Sequence, residues 1–473
     1  MNPLTNYALI LSASLLLITP ARAAEGVPSL FVEGYAGQRS YAPGEDVTFH
    51  VSTSAAKFSV EISRLGVQTN VVWTKRDLAG KEYPVPEDAS AQGCRWPEAF
   101  RVPIPSEWRS GYYVVKFHAE DAGGRWTQRG RRTAESDAFF VVRAAEPGKN
   151  SKILLQLAGN TYNAYNNWGG FSLYAYNGLS KNQGSRVSFD RPPASQFRSW
   201  ELPFVQWAER EGYTLDYAVN SDLEFRPEIL KHYRLVLSIG HDEYWSGPMR
   251  DHLEKFIADG GNAAFFSGNS VCWQVRSEDN GRALTCWKQS YSTDPVWQTG
   301  DFKTLSTAWS HHLLKRPENQ LTGVGFLWGG YRKSHGQFMN DPAEYTVHRP
   351  EHWVFAGTGV QREEKFGDKD TIVGYECDGC ELDWRDGLPF PTHRDGTPKS
   401  FTVLATCPVR WHPNDAEWYE RWEKGRLGNA CLGVYTQGGT VFTSGSTDWS
   451  HGLRGRDKIV DRVTRNVLDR LSK

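Results

Sequence analysis

The sequence predicts a multidomain protein in which an N-terminal, immunoglobulin-like β-sandwich precedes an α/β domain built on a parallel sheet. Three features of the 473 residues support this prediction. Short strand patterns with turn signals fill the first part, buried-strand runs alternate with helical patterns in the second, and a linker containing Pro147 and Gly148 separates the two. We therefore expect the sandwich over residues 24–146 and the α/β domain over residues 150–473, with insertions at about 290–425.

The sandwich prediction rests on segments of strand length that alternate apolar and polar residues or are apolar throughout. Turn-forming residues separate these segments, as in the string Ala-Pro-Gly-Glu at 42–45. The predicted strands are 46–52, 58–63, 111–118 and 139–143.

The α/β prediction rests on strands without polar alternation, which are typical of a parallel sheet covered by helices on both faces. Ligands of such sheets bind beyond the carboxyl ends of the strands. Two polar, aromatic segments lie at such ends: an Asn-rich loop at 158–168, and Gly-His-Asp-Glu-Tyr-Trp-Ser at 240–246. The predicted strands are 152–157, 215–219, 234–239 and 262–266, and the predicted helices include 201–212 and 247–258.

The N-terminus has the pattern of a secretory signal peptide. An apolar run of 13 residues over 7–19 is too short to span a bilayer, and an Ala-Arg-Ala string at 21–23 follows it. We expect a signal peptide over residues 1–23, cleavage after Ala23, and a periplasmic or secreted protein without a membrane span.

Composition and cysteine content narrow the functional classes. The net charge of −1 predicts no general attraction to nucleic acid or anionic membranes. The 19 tryptophans indicate either an aromatic core or a platform for flat or sugar-like ligands.

Cys272 and Cys286 bracket a polar loop that a disulfide could close, and Cys377 and Cys380 form a C-x-x-C pair. Disulfides, free thiols and a metal site all remain open for these cysteines.

Several common catalytic motifs are absent from the sequence. It contains no H-E-x-x-H string, no phosphate-binding G-x-x-x-x-G-K-[ST] loop, no G-x-S-x-G elbow and no G-x-G-x-x-G fingerprint. Nucleotide-dependent enzymes and serine hydrolases of standard pattern are therefore disfavoured.

The residue patterns alone leave the roles of the polar candidates open. Glu243 precedes a predicted helix, where a carboxylate favours the helix dipole, and His241 fits an ordinary loop histidine. Tyr113 alternates with Val115 and Phe117 and so fits a core position. Tyr165 fits the lining of a ligand site.

Five strings in the chain resemble the C-terminal part of the large subunit of the N,N-dimethylformamidase family, over residues 100–470. This resemblance implies a β-domain followed by a glutamine-amidotransferase-like, that is flavodoxin-like, α/β domain. The strings are Ser-Gly-Tyr-Tyr at 110–113, Ala-Tyr-Asn-Asn-Trp-Gly-Gly at 164–170, Gly-His-Asp-Glu-Tyr-Trp at 240–245, Ser-Gly-Asn at 267–269 and Gly-Tyr-Glu at 374–376.

The resemblance also implies a single iron ion, Fe(III), bound by two tyrosines and one glutamate. Carried over by motif, these ligands are Tyr113, Tyr165 and Glu243, with Tyr112 as the neighbouring alternative to Tyr113. It further implies that His241, Asn269 and Glu376 are polar residues around the metal, with catalytic roles.

From these observations we expect an exported, mononuclear-iron amidohydrolase that cleaves an amide or formamide-like C–N bond. The alternative is a non-catalytic protein that binds carbohydrate or another small ligand on an enzyme-derived scaffold. The expected partner is a small molecule that bears an amide, with no nucleic acid. Homo-oligomerisation and a small-subunit partner remain open.

Overall fold

The computed structural model describes residues 29–121, 132–333, 339, 342–411 and 426–473. Within these ranges the protein is a mixed α/β structure with many strands and few helices, as predicted. The expected signal peptide lies outside the described residues. In the described part of the chain no helix is long and apolar enough to cross a bilayer.

Two sheets that share one core form the N-terminal region. The three-stranded sheet has the order β1-β3-β6 and the five-stranded sheet has the order β2-β8-β7-β4-β5. Phe49 of the first sheet contacts Phe117 and Phe140 of the second edge-to-face, with ring centroids 6.3 and 6.0 Å apart. The elements of this region are β1 (Val32–Ala36), β2 (Ser40–Tyr41), β3 (Asp46–Thr53), β4 (Lys57–Leu65), β5 (Thr69–Ala79), α1 (Ala89–Gln92), β6 (Glu98–Pro103), β7 (Gly111–Asp121) and β8 (Arg132–Val142).

The region that follows alternates strands and helices before it becomes largely antiparallel. Its elements are β9 (Ile153–Leu157), α2 (Gly159–Tyr165), β10 (Arg186–Ser188), α3 (Glu201–Arg210), β11 (Asp216–Val219), α4 (Asn220–Phe225), β12 (Leu235–His241), β13 (Tyr244–Ser246), α5 (Gly247–Ala258), β14 (Asn262–Gly268), β15 (Trp273–Glu278), β16 (Ala283–Thr285), α6 (Asn319–Thr322), β17 (Gly325–Gly330), β18 (Tyr345–Val347), β19 (Lys365–Phe366), β20 (Cys377–Gly379), β21 (Leu382–Arg385), β22 (Leu388–Pro391), β23 (Thr402–Arg410), β24 (Leu427–Gln437), β25 (Gly439–Thr443), α7 (Trp449–Gly455) and α8 (Lys458–Leu471).

The central sheet of this region has nine strands in the order β11-β9-β12-β14-β25-β24-β23-β18-β19. The first five are parallel to one another. The continuous apolar runs predicted four of them, β9, β11, β12 and β14, but not β25. The last four pair antiparallel. Three of these strands, β18, β19 and β23, lie in the predicted insertion at about 290–425, so part of the insertion extends the same sheet.

Helices cover both faces of the parallel strands. Alternate residues of a strand point to opposite faces, so each strand contributes side chains to both of the cores that the helices cover. Leu235 and Leu237 of β12 face a core that includes Phe204 of α3. Val236 faces the opposite core with Leu253 of α5. The carboxyl ends of β12 and β14 lie side by side, with His241 opposite Gly268.

Gly240 allows β12 to bend just before His241. Its φ is +77°, a left-handed conformation, and an added Cβ would lie 2.2 Å from Cβ of Trp200. The Trp200 ring in turn contacts the His241 ring edge-to-face, with centroids 5.3 Å apart. Glycine at this position therefore determines the direction of the chain as it reaches His241 at the end of β12.

We expect Gly240→Ala to lower the free energy of unfolding by about 2–4 kcal/mol, from backbone strain and from the clash with Trp200. Gly212→Ala is the matched control, because Gly212 has a φ of +86° but no atom within 4 Å of an added Cβ. The free energy of unfolding of this control should fall by only about 1 kcal/mol. Urea unfolding of both variants measures the difference between the two free energies of unfolding. Equal decreases in the two variants would mean that the clash with Trp200 does not contribute to the requirement for glycine at position 240.

All seven cysteines are buried in the structure, and Cys272 and Cys286 are free thiols. The disulfide considered for Cys272 and Cys286 is therefore not present here. The side-chain neighbour of Cys380 is Cys431 rather than Cys377 of the C-x-x-C pair.

Candidate active site

The carboxyl ends of β12 and β14 bring three of the predicted polar residues together. His241 is the last residue of β12, Glu243 follows it by two positions, and Asn269 comes directly after β14. All three are at most 2% exposed. The site therefore lies where ligands of parallel sheets are expected.

The Glu243 carboxylate accepts hydrogen bonds from two phenols. The Tyr165 hydroxyl donates to Oε2 at 3.0 Å, and the Tyr174 hydroxyl lies 3.0 Å from both carboxylate oxygens. The indole Nε1 of Trp273 donates to Oε1 at 2.7 Å. Glu243 thus points into an aromatic cluster, so its role is not simply that of a charge near the start of α5.

His241 lies between two carboxylates. Its Nε2 is 2.8 Å from Oε2 of Glu376 and 3.2 Å from Oε2 of Glu243. Neither contact has hydrogen-bond geometry, and both ring nitrogens of His241 and Oε2 of Glu376 lack a hydrogen-bond partner among the described residues. Nδ1 of His241 is therefore available to a ligand, while Nε2 is held between the two carboxylates.

Asn269 presents its side chain from a tight turn after β14. It has a φ of +50°, and its backbone N–H and that of Ser270 donate to the Asp378 carboxylate at 2.9 and 3.0 Å. Oδ1 of Asn269 is buried and has no hydrogen-bond partner in the part of the chain that the structure describes. Asp378 therefore fixes the turn, and the Asn269 amide remains free to contact a substrate.

A layer of residues behind Tyr174 was not predicted from the sequence. The Tyr244 hydroxyl donates to the Tyr174 oxygen at 2.7 Å, and Nζ of Lys288 donates to the Tyr244 oxygen at 2.9 Å. Nζ of Lys288 also lies 3.4 Å from the centroid of the Tyr174 ring. A buried cation on a phenol ring stabilises negative charge there.

Two more aromatic residues complete the cluster, and neither was predicted. The Tyr375 hydroxyl hydrogen-bonds with Tyr165, and its ring contacts His241 at 5.7 Å. The Tyr176 ring lies 5.5 Å from that of Tyr174 and is 67% exposed, so the cluster reaches the protein surface.

The buried carboxylates and phenols shift one another's pKa values. Burial by itself lowers the pKa of His241, but Glu376 and Glu243 raise it, to about 10. Burial would raise the pKa of Glu243, but His241 holds that pKa below its usual range. Burial and the Glu243 charge raise the pKa values of Tyr165 and Tyr174 well above the ordinary value. In this structure the two phenols are therefore protonated donors to Glu243.

The structure does not bring Tyr113 to this site, which corrects the expected grouping. Tyr113 is fully buried in the core between the two N-terminal sheets, where its hydroxyl donates to the Arg109 carbonyl at 2.7 Å. Its ring stacks on Trp108 and Phe140. The neighbouring Tyr112 stacks on Phe197 instead. The alternation of side chains along β7 thus places the two rings on opposite faces of the strand. The second tyrosine that contacts Glu243, beside Tyr165, is Tyr174.

The segment predicted as a lining loop at 158–168 is mostly the short helix α2. Its asparagines are buried because neighbouring elements satisfy them: the backbone N–H of Asn160 donates to Oδ1 of Asn220, and its side-chain amide donates to the Tyr244 carbonyl. Sequence alone did not indicate these distant partners. The helix places Tyr165, its last residue, against Glu243.

The carboxylate of Glu243 and the phenols of Tyr165 and Tyr174 form a set of oxygens that could hold a hard cation. Among the described residues no group of three or more His, Cys, Asp or Glu side chains has the geometry to hold a metal ion, so an ion held at Glu243 would use phenol oxygens as well. The oxygens of Tyr165 and Tyr174 each lie 3.0 Å from Glu243 oxygens. Neighbouring ligands of an octahedral cation with bonds of about 2.1 Å lie about 3 Å apart, and carboxylate and phenolate oxygens suit such an ion.

Comparison with solved structures gives only weak similarities. Spo0M, a sporulation control protein from Bacillus subtilis, matches 26% of this chain and 52% of its own, with a TM-score of 0.17 and 14% identity. A calcium-binding mutant of Bacteroides uniformis beta-glucuronidase 2 matches 52% of this chain and 30% of its own, with a TM-score of 0.15 and 11% identity. Both TM-scores are too low to inform the fold.

Sequence comparison gives a clear family. The N,N-dimethylformamidase beta subunits of Alcaligenes sp and Paracoccus aminophilus are each 25% identical to this chain over 439 residues. The alignments cover 80% of this chain and 55% of each relative, so the chain spans about half the length of these relatives. The family described as "N,N-dimethylformamidase beta subunit-like, C-terminal" matches residues 59–462, which confirms the resemblance predicted from the motifs. The chain therefore belongs to this N,N-dimethylformamidase beta subunit-like family.

Proposed function

We propose that the protein is a mononuclear-iron amidohydrolase that cleaves the C–N bond of a small amide. The observation that carries this proposal is the convergence of Tyr165 and Tyr174 on the two oxygens of Glu243, beside the His241–Glu376 pair. The names of the curated relatives support a hydrolase that acts on amides. Because this chain spans 55% of those relatives, its substrate and its need for another subunit are part of the proposal.

Tyr165, Tyr174 and Glu243 would hold the iron through three oxygens. Two ionised phenols and one carboxylate carry a charge of −3, which balances Fe(III). The bound iron would supply Lewis acidity and lower the pKa of a coordinated water. Lys288 supports the ionised form of Tyr174, because its ammonium group lies 3.4 Å from the centre of that ring.

The remaining residues have roles in proton transfer and substrate orientation. Glu376 accepts a proton from the attacking water and, together with His241 at 2.8 Å, delivers it to the leaving amine. Nδ2 of the Asn269 side chain donates to the substrate carbonyl oxygen, which orients the carbonyl and stabilises charge on that oxygen. The buried, aromatic walls exclude bulk water and so strengthen these interactions.

The strand order supports the predicted fold family. Counted along the chain, the five parallel strands β9, β11, β12, β14 and β25 have the spatial order 2-1-3-4-5. This is the order of flavodoxin-like sheets. We propose that the α/β region is a flavodoxin-like domain with an antiparallel extension, and that the two N-terminal sheets form an immunoglobulin-like sandwich.

Metal analysis of the purified protein tests the function directly. We expect about one iron per chain, and release of amine from a panel of small formamides and acetamides. Removal of the iron with a chelator should abolish amine release, and Fe(III) should restore it while zinc should not. Stoichiometric zinc in the active protein would contradict the iron assignment. A metal-free protein that binds polysaccharide would favour the alternative of a carbohydrate-binding protein.

A further inference from the structure

A small pocket lies between the N-terminal sheets and the α/β region, on the side of α2 away from Glu243. Its free space is small, about 10 Å³ for the centre of a water-sized sphere, and its walls include Arg39 and Phe139 from the N-terminal region. From the α/β region, Tyr162 of α2, Phe189 and Arg191 complete it. The pocket therefore contains two arginine side chains and aromatic walls.

Arg39 is buried with unused hydrogen-bond donors. It is 8% exposed, and its Nη2 donates to the Phe189 carbonyl at 2.5 Å. Its Nε and Nη1 are buried and have no acceptor among the described residues. The guanidinium lies 5.4 and 5.7 Å from the ring centroids of Phe139 and Phe189. Buried N–H groups of a charged side chain without acceptors cost free energy, so an unseen acceptor is expected.

Arg191 adds a second buried cation with only neutral partners. It is fully buried, and its guanidinium donates to backbone carbonyls and to Oδ1 of Asn163. The adjacent Asp190 carboxylate is paired with Arg282 at 2.7 Å. In the part of the chain that the structure describes, neither Arg39 nor Arg191 has a carboxylate within ion-pair distance. Burial, together with the charge of Arg39, lowers the pKa of Arg191 to about 9.

We propose that this pocket binds a small monovalent anion, a halide or a small carboxylate, between Arg39 and Arg191. Such an anion would accept from the unused N–H groups of Arg39 and neutralise the repulsion between the two guanidinium groups. The pocket volume suits an ion of this size and excludes larger organic anions. Arg39 precedes β2 and Arg191 follows β10, so the anion would also join the N-terminal sheets to the α/β region. The site is independent of the proposed iron.

Crystals of the full chain grown in sodium bromide would locate the anion directly. We expect an anomalous bromide peak within hydrogen-bond distance of Arg39 in the parent protein, and its displacement by acetate. A map without a peak there would overturn the proposal. This measurement on the parent protein decides the question even if a substituted arginine prevents folding.

Thermal unfolding tests whether the anion binds in solution. At constant ionic strength, with gluconate as a bulky replacement anion, chloride or acetate should raise Tm along a saturating curve, by about 3 °C at 100 times Kd. Arg39→Gln should abolish this rise. Arg76→Gln on the exposed strand β5 is the control and should retain it. An equal rise in all three proteins would contradict the site. A bromide peak without any rise in Tm would mean binding at crystal concentration only and would also overturn the proposal.

Discussion

Replacement of Glu376 by glutamine is expected to lower kcat about 10²–10⁴-fold while the iron content remains that of the parent protein. Glu376 lies 2.8 Å from His241 through Oε2, and that oxygen has no hydrogen-bond partner among the described residues. The amide of glutamine keeps the shape of the side chain but cannot accept and return a proton at neutral pH. The loss corresponds to about 3–5 kcal/mol of transition-state stabilisation.

The measured quantities for Glu376→Gln are kcat, KM and iron per chain. KM should change little, because the substitution removes a proton acceptor rather than a binding surface. Glu87→Gln is the control, since Glu87 is an exposed glutamate far along the chain from the site residues. A variant that loses its iron would identify Glu376 as a metal ligand. A variant with the parent kcat would remove Glu376 from the mechanism.

Parallel-sheet geometry made part of this site predictable from sequence. The continuous apolar runs indicated β12 and β14, and neighbouring parallel strands end at the same edge. His241 follows directly from that rule, because it stands at the end of β12, whereas Asn269, which follows β14, was implied only by the resemblance to the family. Glu243 joins them because it lies two positions beyond His241.

For Tyr113, the alternation of residues along the strand and the family motif led to different predictions, and the alternation agrees with the structure. Its alternation with Val115 and Phe117 predicts a core position, and the structure places all three in the core between the N-terminal sheets. The resemblance by motif predicted a metal ligand instead. Neighbouring strand residues point to opposite faces, so Tyr113 cannot leave the core unless the register of β7 shifts.

Tyr174 and Lys288 could not be found from local sequence. Tyr174 lies outside regular helix or strand, after the Gly169-Gly170 turn, and it reaches Glu243 across 69 residues of sequence. Lys288 is 1% exposed, whereas lysine is among the residues least often buried. Only the folded arrangement of the two segments around Trp273 brings them together.

Replacement of the two proposed tyrosine ligands is expected to give the second large effect, on the colour and the iron content of the protein. The iron-loaded protein should absorb visible light, because charge transfer from a phenolate π orbital to Fe(III) lies in that range. Tyr165→Phe and Tyr174→Phe should each weaken the band and reduce iron affinity more than about 100-fold, since even residues that only support a ligand cost 10–100-fold. Both variants keep the aromatic ring, so packing should be preserved. Absorption spectra and iron per chain measure the effect.

Tyr113→Phe is the matched control for these two variants and also tests the corrected ligand set. It should keep both the band and the iron, and lose only about 1 kcal/mol of stability through the hydrogen bond to the Arg109 carbonyl. If Tyr113→Phe lost the visible band while Tyr174→Phe kept it, the ligand set expected from the motifs would be the correct one. Glu243→Gln separates metal affinity from colour: it should lower the iron content, yet any iron that remains should keep the band, because both phenolates are still in place. Loss of iron in the two tyrosine variants without any visible band in the parent protein would leave the oxygen site intact but exclude Fe(III) as its metal.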